Sequence, residues 1–255
     1  VFLCVYHIME KEEKNDSYAH ILKYTGIFGG VQGLSILIGL VRNKFAALLL
    51  GTTGMGLVAL FNSTINMVVS AANFGIPTSG VHEISEQYGN SNTHLASTIR
   101  LIRSWSLIAA LLGLVICVIF SPLLDSLTFF DRGHHILHFV LLAPAVACLI
   151  VAGGEMAVLK ATRQLRALAF SSMCVVVTSL LISVPIFYFW QYQGIVVVLV
   201  LQSLAQMLLV LRYSSRYYPY RVSLSLEFLG RGIRVVKLGL AFVIAGILSS
   251  GAEFL

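Results

Sequence analysis

The stretch GLVRNKFAALLLGTTGMGL, from Gly39 to Leu57, decides how this chain crosses a membrane. Arg42 and Lys44 stand two residues apart in it, after an apolar run that begins at Leu34 and before the apolar run FAALLL. If RNK were a loop, it would split the segment and invert the direction of every later helix. If RNK is helical, two cations lie within an apolar segment, where charged side chains are costly.

The composition assigns the chain to the helical membrane proteins. Of its 255 residues, 58% are apolar and only 11% are charged, with a mean hydropathy of +0.88; soluble domains carry about 25% charged residues. The apolar segments are near the ~20 residues that a membrane-spanning helix needs, and they lack the alternation of barrel strands. The predicted fold class is therefore all-α and polytopic. The formal charge of +6 is interpreted as the basic bias of cytoplasmic loops, and no nucleic-acid partner is expected.

About seven transmembrane helices are predicted, separated by connectors that carry turn-forming and charged residues. The apolar segments lie near residues 24–50, 55–76, 104–124, 136–159, 168–190, 194–212 and 235–255. Before them, MEKEEKNDS from Met9 is typical of a native polar N-terminus, so residues 1–8 are interpreted as a mis-assigned start.

The basic residues fall on one side of this layout. Fourteen of the 17 Lys and Arg residues lie in the N-terminal tail, in the second, fourth and sixth connectors or in their flanks, whereas the other connectors carry only Arg132. Because cytoplasmic loops are enriched in Lys and Arg, the N-terminus is predicted to be cytoplasmic. The same bias excludes RNK as a cytoplasmic loop and leaves Arg42 and Lys44 in the non-cytoplasmic half of the first segment.

Arg42 and Lys44 are candidate binding residues, because ionisable groups inside membrane segments usually face a cavity or the interior of a helix bundle. Two residues apart, they point about 200° away from each other around a helix. At most one of them therefore faces a cavity, and Arg42 is expected to do so because it lies deeper. The alternative is that both side chains snorkel to the outer headgroups.

A polar stripe on the second segment is the next candidate. Its four residues follow each other at spacings of four, four and three, which places them on one helical face. Such a stripe can line an aqueous cavity and meet sugar hydroxyls, or it can form interhelical hydrogen bonds. The residues are Asn62, Asn66, Ser70 and Asn73.

Glu155, in IVAGGEMAVLK, is the one acidic residue well inside a predicted span apart from Glu253 at the chain end. A buried carboxylate can carry a proton or a cation in an antiporter, which makes Glu155 a candidate for ion coupling. The alternative is that it pairs with Lys160 or Arg163 near the cytoplasmic end of the same segment.

Catalytic, metal and cofactor motifs are missing from the sequence. HEISE, from His82 to Glu86, lacks the final His of the HExxH motif, and GTTGMG, from Gly51 to Gly56, lacks the GK[ST] ending of a phosphate-binding loop. The four cysteines include no CxxC pair, so neither a disulfide framework nor a zinc site is indicated. His134, His135 and His138 are interpreted as an interfacial polar loop. The chain is predicted to be no enzyme and to need no cofactor.

Four motifs in order carry a resemblance to a known family. GLVRNKFAALLLGTTGMGLVALFNS, FGIPTSGVHEISEQYGN, GEMAVLKATRQLRALAFSS and KLGLAFVIAGILSSG resemble the pattern of Wzx-type O-antigen and polysaccharide translocases. These flippases belong to the multidrug/oligosaccharidyl-lipid/polysaccharide exporter superfamily. The resemblance covers nearly the whole chain from about residue 21, and it departs from the family pattern at Ala161, where the family often has Gly.

The resemblance implies a fold of two lobes of about six helices each, which enclose a cationic cavity. It also implies translocation of undecaprenyl-pyrophosphate-linked oligosaccharides across the bacterial inner membrane, with Arg42 at the family's cavity-facing basic position. The division it implies is a polar cytoplasmic tail at 1–20, a six-helix N-terminal lobe at 21–230 and the start of a second lobe at 231–255. On this view the sequence is a fragment of a longer protein.

The expected partners are the lipid-linked oligosaccharide, membrane lipids, and a polysaccharide polymerase with its glycosyltransferases. Two alternatives stay open at this point. One is a cation-coupled drug antiporter of the same superfamily, and the other is a non-catalytic membrane partner of a polysaccharide synthase. The basic Arg42 and the asparagine stripe favour an anionic, sugar-bearing substrate over a cationic drug.

Overall fold

The computed structural model describes residues 2–87, 92–123 and 136–222, together with Gly232 and Gly239. Within these ranges every regular element is a helix, which confirms the predicted all-α class. The six α-helices are α1 (Phe2–Ala72), α2 (Ile76–Gln87), α3 (Asn92–Ile119), α4 (Ile136–Ala161), α5 (Leu165–Trp190) and α6 (Gly194–Tyr217). A single 3-10 turn, Gln191–Gln193, joins α5 to α6.

Four helical stretches in the described chain are long and apolar enough to cross a membrane. They indicate a multi-pass membrane protein. Two of them are much longer than one bilayer requires, because the first holds the predicted first and second segments and the last holds the fifth and sixth. The stretches are Gly29–Ala72, His94–Ile119, Leu137–Ala161 and Leu165–Tyr217.

Helix α1 is broken at Gly51 and not at RNK. The φ of 66° and ψ of −171° at Gly51 are not helical, whereas residues 42–44 are. This backbone conformation is accessible essentially only to glycine. We call residues 29–50 the first limb and residues 52–72 the second limb. Side chains of both limbs line one cavity, with Asn62 across from Arg42, so the chain folds back on itself at Gly51.

The segment after the second limb differs from the prediction. Helix α1 ends at Ala72, because Phe74 and Gly75 have positive φ angles of 48° and 67°. The predicted connector then forms helix α2 and is not a loop. Its buried residues recur at helical spacing and give it one face that packs on the core, mainly against α4. They are Ile76, Ser79, Gly80 and Ile84.

Helix α3 begins at Asn92, well before the predicted start of the third segment at residue 104. The prediction left Arg100 and Arg103 in the preceding connector and began the segment after them, because charged residues lower the local hydropathy. In the structure both arginines lie inside the helix, and the Arg103 charge is compensated by a carboxylate described below.

Helix α4 is the centre of the bundle and packs against α2, α3 and α6. Most of its residues between Leu142 and Leu159 are buried. Small residues let neighbouring helices approach it closely: a Cβ atom at Gly154 would stand 2.8 Å from the Cβ of Ser106 on α3. Helix α1 packs mainly on α5, and residues of the first limb take part in this contact, as Arg42 does with Ser179. The first limb also exposes large apolar residues, among them Ile36, Leu37, Leu40 and Leu48.

The connectors that the sequence assigns to one membrane side come together in the structure. Tyr192, in the turn between α5 and α6, donates a hydrogen bond to the carbonyl oxygen of Leu50 beside the break at Gly51 (3.0 Å). At the other end, Arg103 and the chain around Pro219 meet. The predicted seventh segment and the FFDRGHH connector lie outside the described residues, apart from Gly239.

Candidate functional site

Arg42 lies where the first limb packs against α5, and it is half-buried. Its Nη1 donates a hydrogen bond to Oγ of Ser179 on α5 (2.7 Å), and its Nη2 donates to Oδ1 of the neighbouring Asn43 (3.2 Å). Two hydrogen bonds use two of the five N–H donors of a guanidinium group. Arg42 therefore retains donors for a further ligand.

The Arg42 side chain lines a cavity of about 80 Å³ between the two limbs, α5 and α6. This volume has room for a few water molecules and not for a sugar. Gln202 on α6 lines the same space and donates a hydrogen bond to the backbone carbonyl oxygen of Ser179 (3.3 Å). The polar residues of the lining are Arg42, Asn43, Asn62, Ser183 and Gln202.

The charge of Arg42 has no counterion among the described residues. No Asp or Glu lines its cavity, and its hydrogen-bond acceptors Ser179 and Asn43 are both neutral. Neutral acceptors solvate a guanidinium only in part, and water is scarce in the apolar layer. The site therefore favours the arrival of an anion. Lys44 is exposed and points to another side of the limb.

Of the four residues in the polar stripe, only Asn62 lies near Arg42. Asn62 lines the cavity, and its side-chain amide donates to the carbonyl oxygen of Val58 (2.9 Å). Asn66 and Ser70 are exposed on the second limb. Asn73 is half-buried beyond the end of α1, and its Oδ1 accepts no hydrogen bond from a described residue. The stripe thus lies mainly on the outer surface of the described helices.

Glu155 forms a buried ion pair with Arg103. Both Glu155 oxygens accept hydrogen bonds from this guanidinium, Oε1 from Nε (2.7 Å) and Oε2 from Nη2 (2.9 Å). Each side chain is only 2% exposed. The pair joins α3 to the C-terminal half of α4 where Gly154 and Ser106 bring these helices close together. Arg103 thus takes the place of Lys160 and Arg163, the partners that the sequence offered.

The Arg103 guanidinium also holds the end of α6. Nη2 lies 3.2 Å from Oγ of Ser214 and 3.2 Å from the carbonyl oxygen of Tyr218, and Nη1 donates to the carbonyl oxygen of Pro219 (2.8 Å). The guanidinium carbon lies 5.0 Å from the ring centre of Tyr220, within cation–π range. Burial, and then the Glu155 carboxylate, raise the pKa of the Tyr220 phenol, whereas Arg103 opposes the shift. Arg103 thus connects α3, α4 and α6 through its hydrogen bonds.

This geometry favours the structural alternative for Glu155. A carboxylate that accepts two hydrogen bonds from a guanidinium has little capacity left for a coupling ion. In the part of the chain that the structure describes, no three His, Cys, Asp or Glu side chains lie close enough to hold a metal ion. Within the same residues Cys117, Cys148 and Cys174 are free thiols.

The comparisons with known proteins find no relative. No family model, no curated protein and no solved structure matches the chain. The resemblance to Wzx-type flippases therefore stays a prediction that rests on the four quoted motifs. The geometry of Arg42 and of the Arg103–Glu155 pair is independent of that resemblance.

Proposed function

We propose that this chain is part of a flippase that moves undecaprenyl-pyrophosphate-linked oligosaccharides across the bacterial inner membrane. The product would serve O-antigen or capsule-type polysaccharide synthesis. One observation carries the proposal: the half-buried guanidinium of Arg42 has no counterion among the described residues and lies within an apolar helical stretch.

A lipid diphosphate carries the negative charge that Arg42 lacks among the described residues. Guanidinium groups bind phosphate oxygens through paired N–H donors, and such charge-assisted bonds are stronger where water is excluded. The cavity of about 80 Å³ is too small for a glycan. The diphosphate therefore contacts Arg42 from the cavity mouth, and the sugar stays outside.

The exposed polar face of the second limb supplies a place for the sugar. Asn66 and Ser70 continue along that limb from Asn62, which lines the Arg42 cavity. Asparagine and serine side chains both donate and accept hydrogen bonds, which suits sugar hydroxyls. This face would form one wall of the translocation pathway, and the proposed second lobe would form the other wall.

The helix arrangement supports the topology that this function requires. The breaks at Gly51 and at Gln191–Gln193 divide the four apolar stretches into six helical limbs, which are the first limb, the second limb, α3, α4, α5 and α6. With one crossing per limb, the Leu50–Tyr192 contact would lie on one side of the membrane and the Arg103–Pro219 contact on the other. We assign the Arg103 side to the cytoplasm because its connectors are the basic ones, and we add a seventh crossing at 235–255.

A cation-coupled drug antiporter is the weaker candidate. It needs a carboxylate free to exchange a proton or cation, and both oxygens of Glu155 accept hydrogen bonds from Arg103. A membrane partner of a polysaccharide synthase would not need the unpaired Arg42. Neighbouring genes separate these functions, because a flippase is expected beside glycosyltransferases and a polysaccharide polymerase.

Genetic complementation tests the proposal with Arg42 and Lys44 as a matched pair. In a flippase-null strain, the complete reading frame should restore surface polysaccharide, and Arg42→Ala should abolish it. Arg42→Lys should retain part of the function because an ammonium keeps the charge but not the paired donors. Lys44→Ala should retain most of it because Lys44 is exposed on another side of the limb.

Protein abundance in the membrane is the control for each variant. Full polysaccharide from Arg42→Ala at normal abundance would show that Arg42 binds no substrate. Loss of function in Lys44→Ala equal to that in Arg42→Ala would contradict a role specific to the cavity.

A further inference from the structure

A second group of arginines lies away from Arg42, where α3 begins and α6 ends. Arg100, Arg103 and Arg221 line a cavity of about 250 Å³ there. Ile99 and Pro219 contribute apolar walls. Two chain segments that are more than a hundred residues apart form the cavity. It therefore arises only when the chain folds, and no local sequence motif indicates it.

The cavity carries an excess of positive charge. Its only carboxylate neighbour among the described residues is Glu155, and both oxygens of Glu155 are bonded to Arg103. Neither Arg100 nor Arg221 pairs with a described acidic residue. Three guanidinium groups and one carboxylate leave a net charge of +2. Like charges around one cavity repel each other, and a bound anion would remove that repulsion.

Buried Arg103 fixes the inner wall and keeps one donor for a ligand. Among the described residues its Nη1 makes a single hydrogen bond, to the carbonyl oxygen of Pro219, so one of the two N–H groups on that nitrogen has no described acceptor. The side chain is 2% exposed and is held by the Glu155 carboxylate. Arg100 is half-buried and Arg221 is exposed at the mouth. A rigid inner donor with two outer cations is suited to a tetrahedral oxyanion.

The size and depth of the cavity restrict the anion. A volume of about 250 Å³ is below the ~300–1,000 Å³ of pockets for drug-sized ligands, so it suits a phosphate group with its nearest substituents. Arg100 lies six residues into the apolar stretch that begins at His94, or about 9 Å along the helix. Tyr217, Tyr218 and Tyr220 surround the end of α6, as aromatic residues do at a membrane interface.

We propose that the cavity lined by Arg100, Arg103 and Arg221 is a binding site for a phosphate-bearing anion at the membrane interface. An anionic lipid headgroup and a soluble phosphate compound share this chemistry. The site is separate from Arg42 and does not depend on the translocation function. Arg212 and Arg216 provide a control, because their cavity is lined by α6 alone and contains no buried arginine.

The test is a binding titration of the purified chain in detergent, followed by native mass spectrometry. Three probes are used: short-chain phosphatidylglycerol, short-chain phosphatidylcholine and inorganic pyrophosphate. Removal of two interfacial arginines by Arg100→Gln with Arg221→Gln should weaken anion binding about 10- to 30-fold. Arg212→Gln with Arg216→Gln removes the same charge and should leave binding nearly unchanged.

The three probes distinguish the sources of the phosphate. Arginine-dependent binding of phosphatidylglycerol, without binding of pyrophosphate, assigns the site to a lipid headgroup. Arginine-dependent binding of pyrophosphate assigns it to a soluble phosphate compound. Equal binding of every probe by wild type and the Arg100/Arg221 variant would overturn the site, as would an equal loss in the Arg212/Arg216 control. The single variant Arg221→Gln, at an exposed position, should lose part of the affinity without a change in thermal unfolding.

Discussion

The guanidinium of Arg103 and the carboxylate of Glu155 share two hydrogen bonds, and each side chain is only 2% exposed. Burial of either charge alone costs several kcal/mol, and the partner offsets that cost only while both are present. Because Arg103 also bonds to Ser214 and to the backbone of Tyr218 and Pro219, the pair fixes the end of α6 as well. The pair therefore contributes to the order of the bundle more than to its net stability.

A double-mutant cycle tests this account of the ion pair. Arg103→Met and Glu155→Leu should each lower the free energy of unfolding by about 3–5 kcal/mol, because each leaves a buried charge without a partner. The double variant should recover a large part of that loss, since apolar residues of similar size replace both charges. Thermal unfolding in detergent measures the three variants, and additive losses in the double variant would contradict the account.

The sequence identifies Glu155 as unusual but does not identify its partner. Arg103 is 52 residues away along the chain, and its charge lowers the local hydropathy so that it resembles a connector residue. The pairing depends on how α3 and α4 are rotated about their axes, which follows from close packing at Gly154 and Ser106. Arg42 is different: its placement away from Lys44 follows from helical geometry alone.

At the scale of the helices, Gly51 and the turn at Gln191–Gln193 determine where the two longest apolar stretches bend. The break at Gly51 leaves the last carbonyl groups of the first limb without helical partners, and the Tyr192 hydroxyl donates to one of them, on Leu50. Both bends fall in gaps between predicted apolar segments, after residue 50 and after residue 190. Helix α2 was missed, because its Gly, Pro and Ser residues are typical of a loop and only packing on the core makes it helical.

Gly51 and Gly56 form a matched pair for testing the bend. Apart from the neighbouring backbone, no described atom lies within 4 Å of a Cβ built at either glycine, so an added methyl group causes no steric clash with the described residues. Of these two glycines, only Gly51 has a positive φ, which other residues rarely adopt. Gly51→Ala should lower the free energy of unfolding by about 1–3 kcal/mol.

In the same thermal unfolding assay, the helical Gly56→Ala should be neutral or slightly stabilising, because alanine has the higher helix propensity. Equal effects of the two substitutions would show that the conformation of Gly51 does not maintain the bend.

At the scale of the whole molecule, the six limbs separate the described connectors into two ends, and the basic residues at one end predict that it faces the cytoplasm. The sequence predicts this alternation because hydropathy and charge both vary along the chain. It does not predict which surfaces stay uncovered. Large apolar residues of the first limb and the stripe residues Asn66 and Ser70 are exposed in the described structure, as expected for a wall that faces lipid or the proposed second lobe.

Cysteine labelling in intact cells tests the orientation. With the native cysteines replaced, Gln193→Cys should react with a membrane-impermeant reagent, because it lies in the exposed turn between α5 and α6. Ser85→Cys, on the exposed face of α2, should react only after permeabilisation. Labelling of Ser85→Cys but not Gln193→Cys in intact cells would reverse the proposed orientation.

The central claim is that Arg42 binds the diphosphate of a polyprenyl-linked substrate, and the most direct measurement is binding of undecaprenyl diphosphate to purified protein. Native mass spectrometry compares this lipid with undecaprenyl monophosphate for wild type, Arg42→Ala and Lys44→Ala. We expect wild type and Lys44→Ala to prefer the diphosphate, and Arg42→Ala to lose at least about 10-fold in affinity, since a charge-assisted hydrogen bond is worth about 1.5–3 kcal/mol. Equal affinity of wild type and Arg42→Ala for undecaprenyl diphosphate would contradict the claim.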